Sequence, residues 1–244
     1  MDRKISDWAG NIVALIIVIV VNALANILRF AGKTTGEVSD KYYSLFTPAG
    51  FTFVVWSLIY LSLAAFVVYQ SLPSQRRNET FAAISTWFKI GCAANVLWMF
   101  VWHQEWIMVA LLLMIVILAS LIAIYRAITA EPWLVRASFS LYLGWISVAT
   151  IANLSAMQSA LAWNNLGVDE TTWTFLKLAV AGAVASIVGL QHKDVVFVLV
   201  VGWAAYGISI GQVATPAVAG AASTLALLTL LLAAYEGMRR IRSR

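Results

Sequence analysis

Eight stretches of this chain are apolar over about the length of a bilayer crossing, which takes about 20 residues as a helix. They fall near 11–31, 50–70, 83–103, 107–127, 138–161, 172–190, 195–211 and 216–236, the seventh being short and interrupted by glycine. Hydrocarbon holds no water to satisfy a bare peptide group, so long apolar runs cross it as helices. Only 11% of the residues are charged and 62% are hydrophobic, whereas a soluble domain carries about 25% charged residues. The expected fold class is therefore all-α, a polytopic transmembrane helical bundle whose first partner is the lipid bilayer. In that setting the +5 net charge is no nucleic-acid signal, and its placement reports topology instead.

With all eight stretches crossing and the N-terminus inside, the inner side holds Arg3, Lys4, Arg76, Arg77, Arg126, Arg136, Lys193, Arg239, Arg240, Arg242 and Arg244. The outer side holds Arg29, Lys33 and Lys41, while Lys89 and Lys177 lie inside spans. Basic residues gather on the cytoplasmic side of membrane proteins, so both termini are expected there. The first span has a second reading. Arg3 and Lys4, an apolar run and then Ala23-Leu24-Ala25 have the layout of a cleaved signal peptide. Asn22 and Asn26 stand four apart on one face of that run, which suits a retained helix that binds a neighbour through amides.

Little in the chain reads as catalysis. Cys92 is the only cysteine, and it has neither a disulfide partner nor metal-ligand company. His103 and His192 sit at span ends, and Asp2, Asp7, Glu37, Asp40, Glu79, Glu105, Glu131, Asp169, Glu170, Asp194 and Glu236 all lie outside mid-span. A proton-coupled carrier ordinarily needs an intramembrane carboxylate or histidine relay. No Ser-His-Asp grouping, CxxC pair or phosphate-binding glycine loop is present, so no catalytic residue and no metal ligand is expected. Lys89 and Lys177 stand about two turns from span ends, within snorkelling reach. The run Leu232 to Arg239 fits a sterol-contact pattern that also describes an ordinary membrane edge.

The chain has 11 tryptophans, and several fall on helical faces. Phe53, Trp56 and Tyr60 follow an i, i+3, i+7 spacing, as do Asn95, Trp98 and Trp102. Tyr142, Trp145, Ala149 and Asn153 continue that spacing to i+11. Two readings stay open: the three faces line a pocket for a flat ligand, or they pack against one another.

Read in order, these faces resemble the TspO/MBR family, the tryptophan-rich sensory or translocator proteins. The resemblance rests on Pro48-Ala49-Gly50-Phe51 and Val54-Val55-Trp56-Ser57-Leu58-Ile59-Tyr60, on Asn95 with Trp98, and on Tyr142, Leu143, Trp145, Ser147, Ala149 and Asn153. Ala49 and Leu141 stand where the family often has proline. The resemblance covers about 10–162, and it implies a TspO-like five-helix domain over 1–162 with a pocket under the first loop. Residues 163–244 would add a three-helix transmembrane region that packs on the bundle.

The resemblance further implies a tetrapyrrole such as a porphyrin or haem, or a sterol-like molecule, as ligand, with no obligatory cofactor. Trp56, Trp98 and Trp145 would stack on its face, Asn95, Asn153 and Tyr60 would orient polar edges, and Arg29, Lys33 or Lys41 would meet propionates. His103, which follows Trp102 on the outer side, has two readings, a ligand to a haem iron or a residue simply placed at a span edge. A sensor or regulator is the expected role, beside a carrier of small hydrophobic solutes or a light-dependent porphyrin-degrading enzyme. The expected location is the plasma membrane of a bacterium, and a homodimer is compatible with the sequence. The charge asymmetry yields a direct test. A tag after Arg244 should be cytoplasmic and an Asn165→Cys thiol should label from outside; an external tag would mean that 195–211 does not cross.

Overall fold

The computed structural model describes residues 3–242, the last three by their backbone alone. Asp2, Arg244 and the side chains of Arg240 and Arg242, which enter the charge argument, lie outside the described residues. The described chain is helical without strands. Its helices are α1 (Ile5–Ile27), α2 (Thr35–Lys41), α3 (Val55–Ser71), α4 (Glu79–His103), α5 (Ile107–Ala127), α6 (Trp133–Ala160), α7 (Glu170–His192), α8 (Val195–Gly211) and α9 (Pro216–Arg242). Eight coincide with the apolar stretches, and α2 lies in the connection between the first two of them.

Local chemistry sets the helix ends. Asn78, Asp169 and Asp194 each accept a backbone N–H from the first turn of the helix that follows, satisfying a donor that the helix leaves open. The hydroxyl and N–H of Thr172 bond the Asp169 carboxylate and hold its pKa below the usual value. The α1 helix begins before its apolar run because Asp7 in its first turn suits the positive end of the helix dipole. Pro48, Ala49 and Gly50 delay α3, and a 3₁₀ turn over Gly50–Val54 precedes it.

Among the described residues, seven helices are long and apolar enough to cross a membrane. Helix α8 has 17 residues, about 25 Å at 1.5 Å per residue, short of the ~30 Å hydrocarbon thickness. The protein is thus a multi-pass integral membrane protein in contact with the bilayer.

Its contacts form two compact units, one of residues up to 41 with 56–146, the other of 42–55 with 147–244. In the first unit, α1 packs on α4 and α4 on α5. Phe66, Phe81, Phe88 and Phe139 interlock edge to face with centroids 4.8–6.2 Å apart. One end of the unit is tied by a polar cluster. The Arg3 guanidinium donates to the Gln70 carbonyl and side chain, Asn11 donates to Gln70 Oε1 at 3.1 Å, and Ser85 donates to Asn11 at 3.0 Å.

In the second unit, α8 and α9 pack most extensively, and the segment 43–54, irregular up to Ala49 and then a 3₁₀ turn, is seated on α8. The Ala49 N–H donates to the Gly207 carbonyl at 2.9 Å, Gln212 Nε2 to the Thr47 carbonyl at 2.9 Å, and Trp203 Nε1 to the Thr52 carbonyl at 2.9 Å. Tyr43 donates to Gln212 Oε1, and Phe51 meets Trp203 edge-on at 5.5 Å. This approach needs glycine on α8. A Cβ at Gly211 would sit 2.9 Å from the Ala49 nitrogen and 3.1 Å from the Thr47 carbonyl oxygen, and one at Gly207 would strike Thr52. Backbone atoms cannot turn aside as a side chain can. Gly211→Ala should therefore destabilise the protein by about 1–3 kcal/mol, the usual cost of overpacking. Gly220→Ala, where a Cβ meets nothing within 4 Å, should be neutral or stabilising by up to ~1 kcal/mol. Thermal unfolding in detergent, followed by tryptophan fluorescence, compares the two.

Candidate ligand site

The first unit gathers three of the singled-out aromatics around Trp56. Helix α3 sets Trp56 and Tyr60 one turn apart, and their rings stack at 5.5 Å and 25°. From α6, Tyr142 and Trp145 meet Trp56 edge-on at 5.9 Å and 6.3 Å. Tyr142 and Trp145 are buried, whereas Trp56 and Tyr60 are half-buried.

A relay of amides holds this cluster to α1 and α4. Asn22 Nδ2 donates to Asn95 Oδ1 at 2.9 Å, and Asn95 Nδ2 donates to the Tyr142 hydroxyl at 3.1 Å. Asn22 therefore binds a neighbouring helix, as its place in an apolar span suggests. Asn95 is 1% exposed and spends its amide on these two partners, so its bonds fix the aromatic Tyr142 from behind. Trp98 and Trp102 stack on each other at 5.2 Å and 19°, and Trp102 Nε1 donates to the Thr35 carbonyl at 3.2 Å. Phe53, Ala149 and Asn153 belong to the second unit, where Asn153 donates to the Ala149 carbonyl at 2.9 Å.

The cations of the first loop are engaged. Lys33 and Lys41 both pair with Glu105, and Arg29 grips both oxygens of Glu37 at 2.7 and 2.8 Å. The Thr34 N–H, followed by Arg29, keeps the Glu37 carboxyl below its usual pKa. His103 is buried, with Nδ1 2.7 Å from the Met99 carbonyl and Phe30 edge-on at 5.9 Å. A carbonyl only accepts, so Nδ1 carries the proton of that contact, and Nε2 has no partner among the described residues. No group of three His, Cys, Asp or Glu side chains among them is placed to hold a metal.

Charged residues nearer the helix ends divide in two. Lys89 reaches the Ser6 carbonyl at 3.2 Å, as a snorkelling side chain does. Lys177 instead turns inward, 9% exposed, and donates to Gln158 Oε1 at 2.7 Å. Asp194 and Glu236 are buried as well, which their positions beside basic residues did not signal. Arg239 pairs with Glu236 at 2.8 Å.

The family model described as TSPO-like protein matches residues 7–235. The chain belongs to this family. No curated protein and no solved structure matches it. The match runs well past residue 162, so α7, α8 and most of α9 lie inside the TSPO-like region. The docking of 43–54 on α8 is thus internal to that region.

The amide relay can be tested by a double-mutant cycle. Asn22→Ala and Asn95→Ala should each destabilise this TSPO-like protein, and the double variant should lose less than their sum. The coupling should be about 0.6 kcal/mol and at most ~1.7, the range for hydrogen bonds between membrane helices. Reversible unfolding in mixed micelles measures it; additive losses would mean that the two amides do not communicate.

Proposed function

We propose that this TSPO-like protein binds a flat hydrophobic ligand of the tetrapyrrole class against Trp56 and Tyr60 and serves as a membrane sensor or regulator. One observation carries the reading. Trp56 and Tyr60 form a stacked, half-buried pair backed by buried rings, and neither the indole N–H nor the phenol is bonded among the described residues. A ligand stacked there gains about 0.5–1.5 kcal/mol beyond burial and meets two unspent donors at its edge. Lys33 and Lys41 would transfer from Glu105 to ligand carboxylates. Both lysines are more than a third exposed, and exposed ion pairs contribute about 0–1 kcal/mol, so the exchange costs little. Trp98, Trp102 and Trp145, from the same unit, extend the aromatic surface in this proposal.

A carrier is the second reading, and buried Glu236 favours it, because one carboxylate oxygen has no partner among the described residues. Flux into proteoliposomes separates the carrier from the binder. Bleaching of bound porphyrin under illumination, with product formed, would identify an enzyme. The charge asymmetry supports cytoplasmic termini, and a bacterial plasma membrane is the setting that goes with this reading.

Trp56 is the decisive residue. Trp56→Ala should lower porphyrin affinity roughly five- to a hundredfold, corresponding to about 1–3 kcal/mol of lost burial and stacking. Trp56→Phe should lose much less. Trp133→Ala, at a position 68% exposed, should leave affinity unchanged. Fluorescence titration of protein that is monodisperse on gel filtration reads all three; equal losses at Trp56 and Trp133 would place the ligand elsewhere.

A further inference from the structure

The second unit contains a cavity of about 170 Å³ whose wall includes Lys177, Gln158, Ser159, Trp163, Trp173 and Glu170. Lys177 is seven residues into α7, about 10 Å along the helix axis, and a buried ammonium there needs a counter-charge. Its one hydrogen bond among the described residues goes to the neutral carbonyl of Gln158, and no carboxylate among them forms an ion pair with it. Glu170, the acid on the wall, acts on Lys177 through space without closing an ion pair; it is exposed and accepts the Leu45 N–H at 2.9 Å. Donors predominate inside. Two ammonium N–H bonds of Lys177, the Gln158 amide nitrogen and the Trp163 indole N–H have no acceptor among the described residues. Trp163 and Trp173 supply an aromatic wall, with rings 5.1 Å apart and tilted by 54°.

We propose that this cavity binds a small organic carboxylate, with its oxygens on Lys177 Nζ and Gln158 Nε2 and its apolar body against Trp163 and Trp173. The volume equals about five or six waters at ~30 Å³ each, so the body is no larger than a single ring or a short chain. Glu170 at the rim repels multiply charged anions, which selects one negative charge. The aromatic wall selects an organic acid over an inorganic ion. This site shares no residue with the aromatic cluster around Trp56, so either can fail without the other.

The test titrates the full chain, in nanodiscs of zwitterionic lipid, with benzoate and with its neutral isostere benzamide. Isothermal titration should show saturable benzoate binding at one site, with benzamide at least about tenfold weaker because the charge-assisted bonds are lost. Lys177→Met should abolish benzoate binding, Lys177→Arg should retain it within a fewfold, and Gln158→Leu should weaken it. All three should be monodisperse on gel filtration and unfold at temperatures near the parent's, which reports that they are folded. The proposal is overturned if benzoate does not saturate, if benzamide binds equally, or if Lys177→Met binds as well as the parent. Binding of laurate without benzoate would also overturn it, because the site would then take a lipid chain.

Discussion

Non-helical backbone at the edge of a membrane survives only where protein supplies its hydrogen-bond partners, and in this chain α8 supplies them to residues 43–54. Ala49 donates to Gly207, while Gln212 and Trp203 bond the carbonyls of Thr47 and Thr52. The carbonyl of Gly207 lies in the last turn of α8, where its second lone pair can accept the Ala49 N–H, and the lack of Cβ atoms at Gly207 and Gly211 lets the two backbones approach. The Pro48-Ala49-Gly50-Phe51 run leads straight into α3, whose first turns carry Trp56 and Tyr60. A segment recognised by its aromatic neighbours is thus fastened through a helix some 150 residues further on. That helix lies within the TSPO-like match, which extends to residue 235, beyond the first five apolar helices.

The same economy of polar groups governs the first unit. Amides within apolar helices are costly unless bonded, and each finds a partner across a helix boundary: Asn11 with Gln70 and Ser85, Asn22 with Asn95, Asn95 with Tyr142. The consequence for the candidate site is specific. Tyr142 is spent on Asn95, while Trp56 and Tyr60 stay half-buried with unspent donors.

The apolar helices were legible because hydropathy and length are properties of each segment alone. Their early starts, at Ile5 and Trp133, depend on helix-end chemistry that apolar counting overlooks. The faces carrying Trp56, Trp98 and Trp145 were legible from spacing, as was the need of Asn22 for a neighbouring helix. Which neighbour, and that Asn95 would be spent on it, depends on helix pairing that no single segment encodes. Gly207 and Gly211 are four apart in an apolar run, a spacing that signals close approach, but nothing local says that a loop is what approaches. Lys177 looked like a snorkelling residue by depth. Its inward turn follows from Gln158 on α6, which sequence distance conceals.

The most direct test of this account is hydrogen exchange at the amides of 47–52 in the full chain held in nanodiscs. If α8 supplies their partners, the Ala49 amide exchanges as slowly as amides inside α8, and Gly211→Ala speeds it selectively. Exchange at Ala49 as fast as in the exposed connection at 164–168, with α8 itself protected, would contradict the docking on which the account rests.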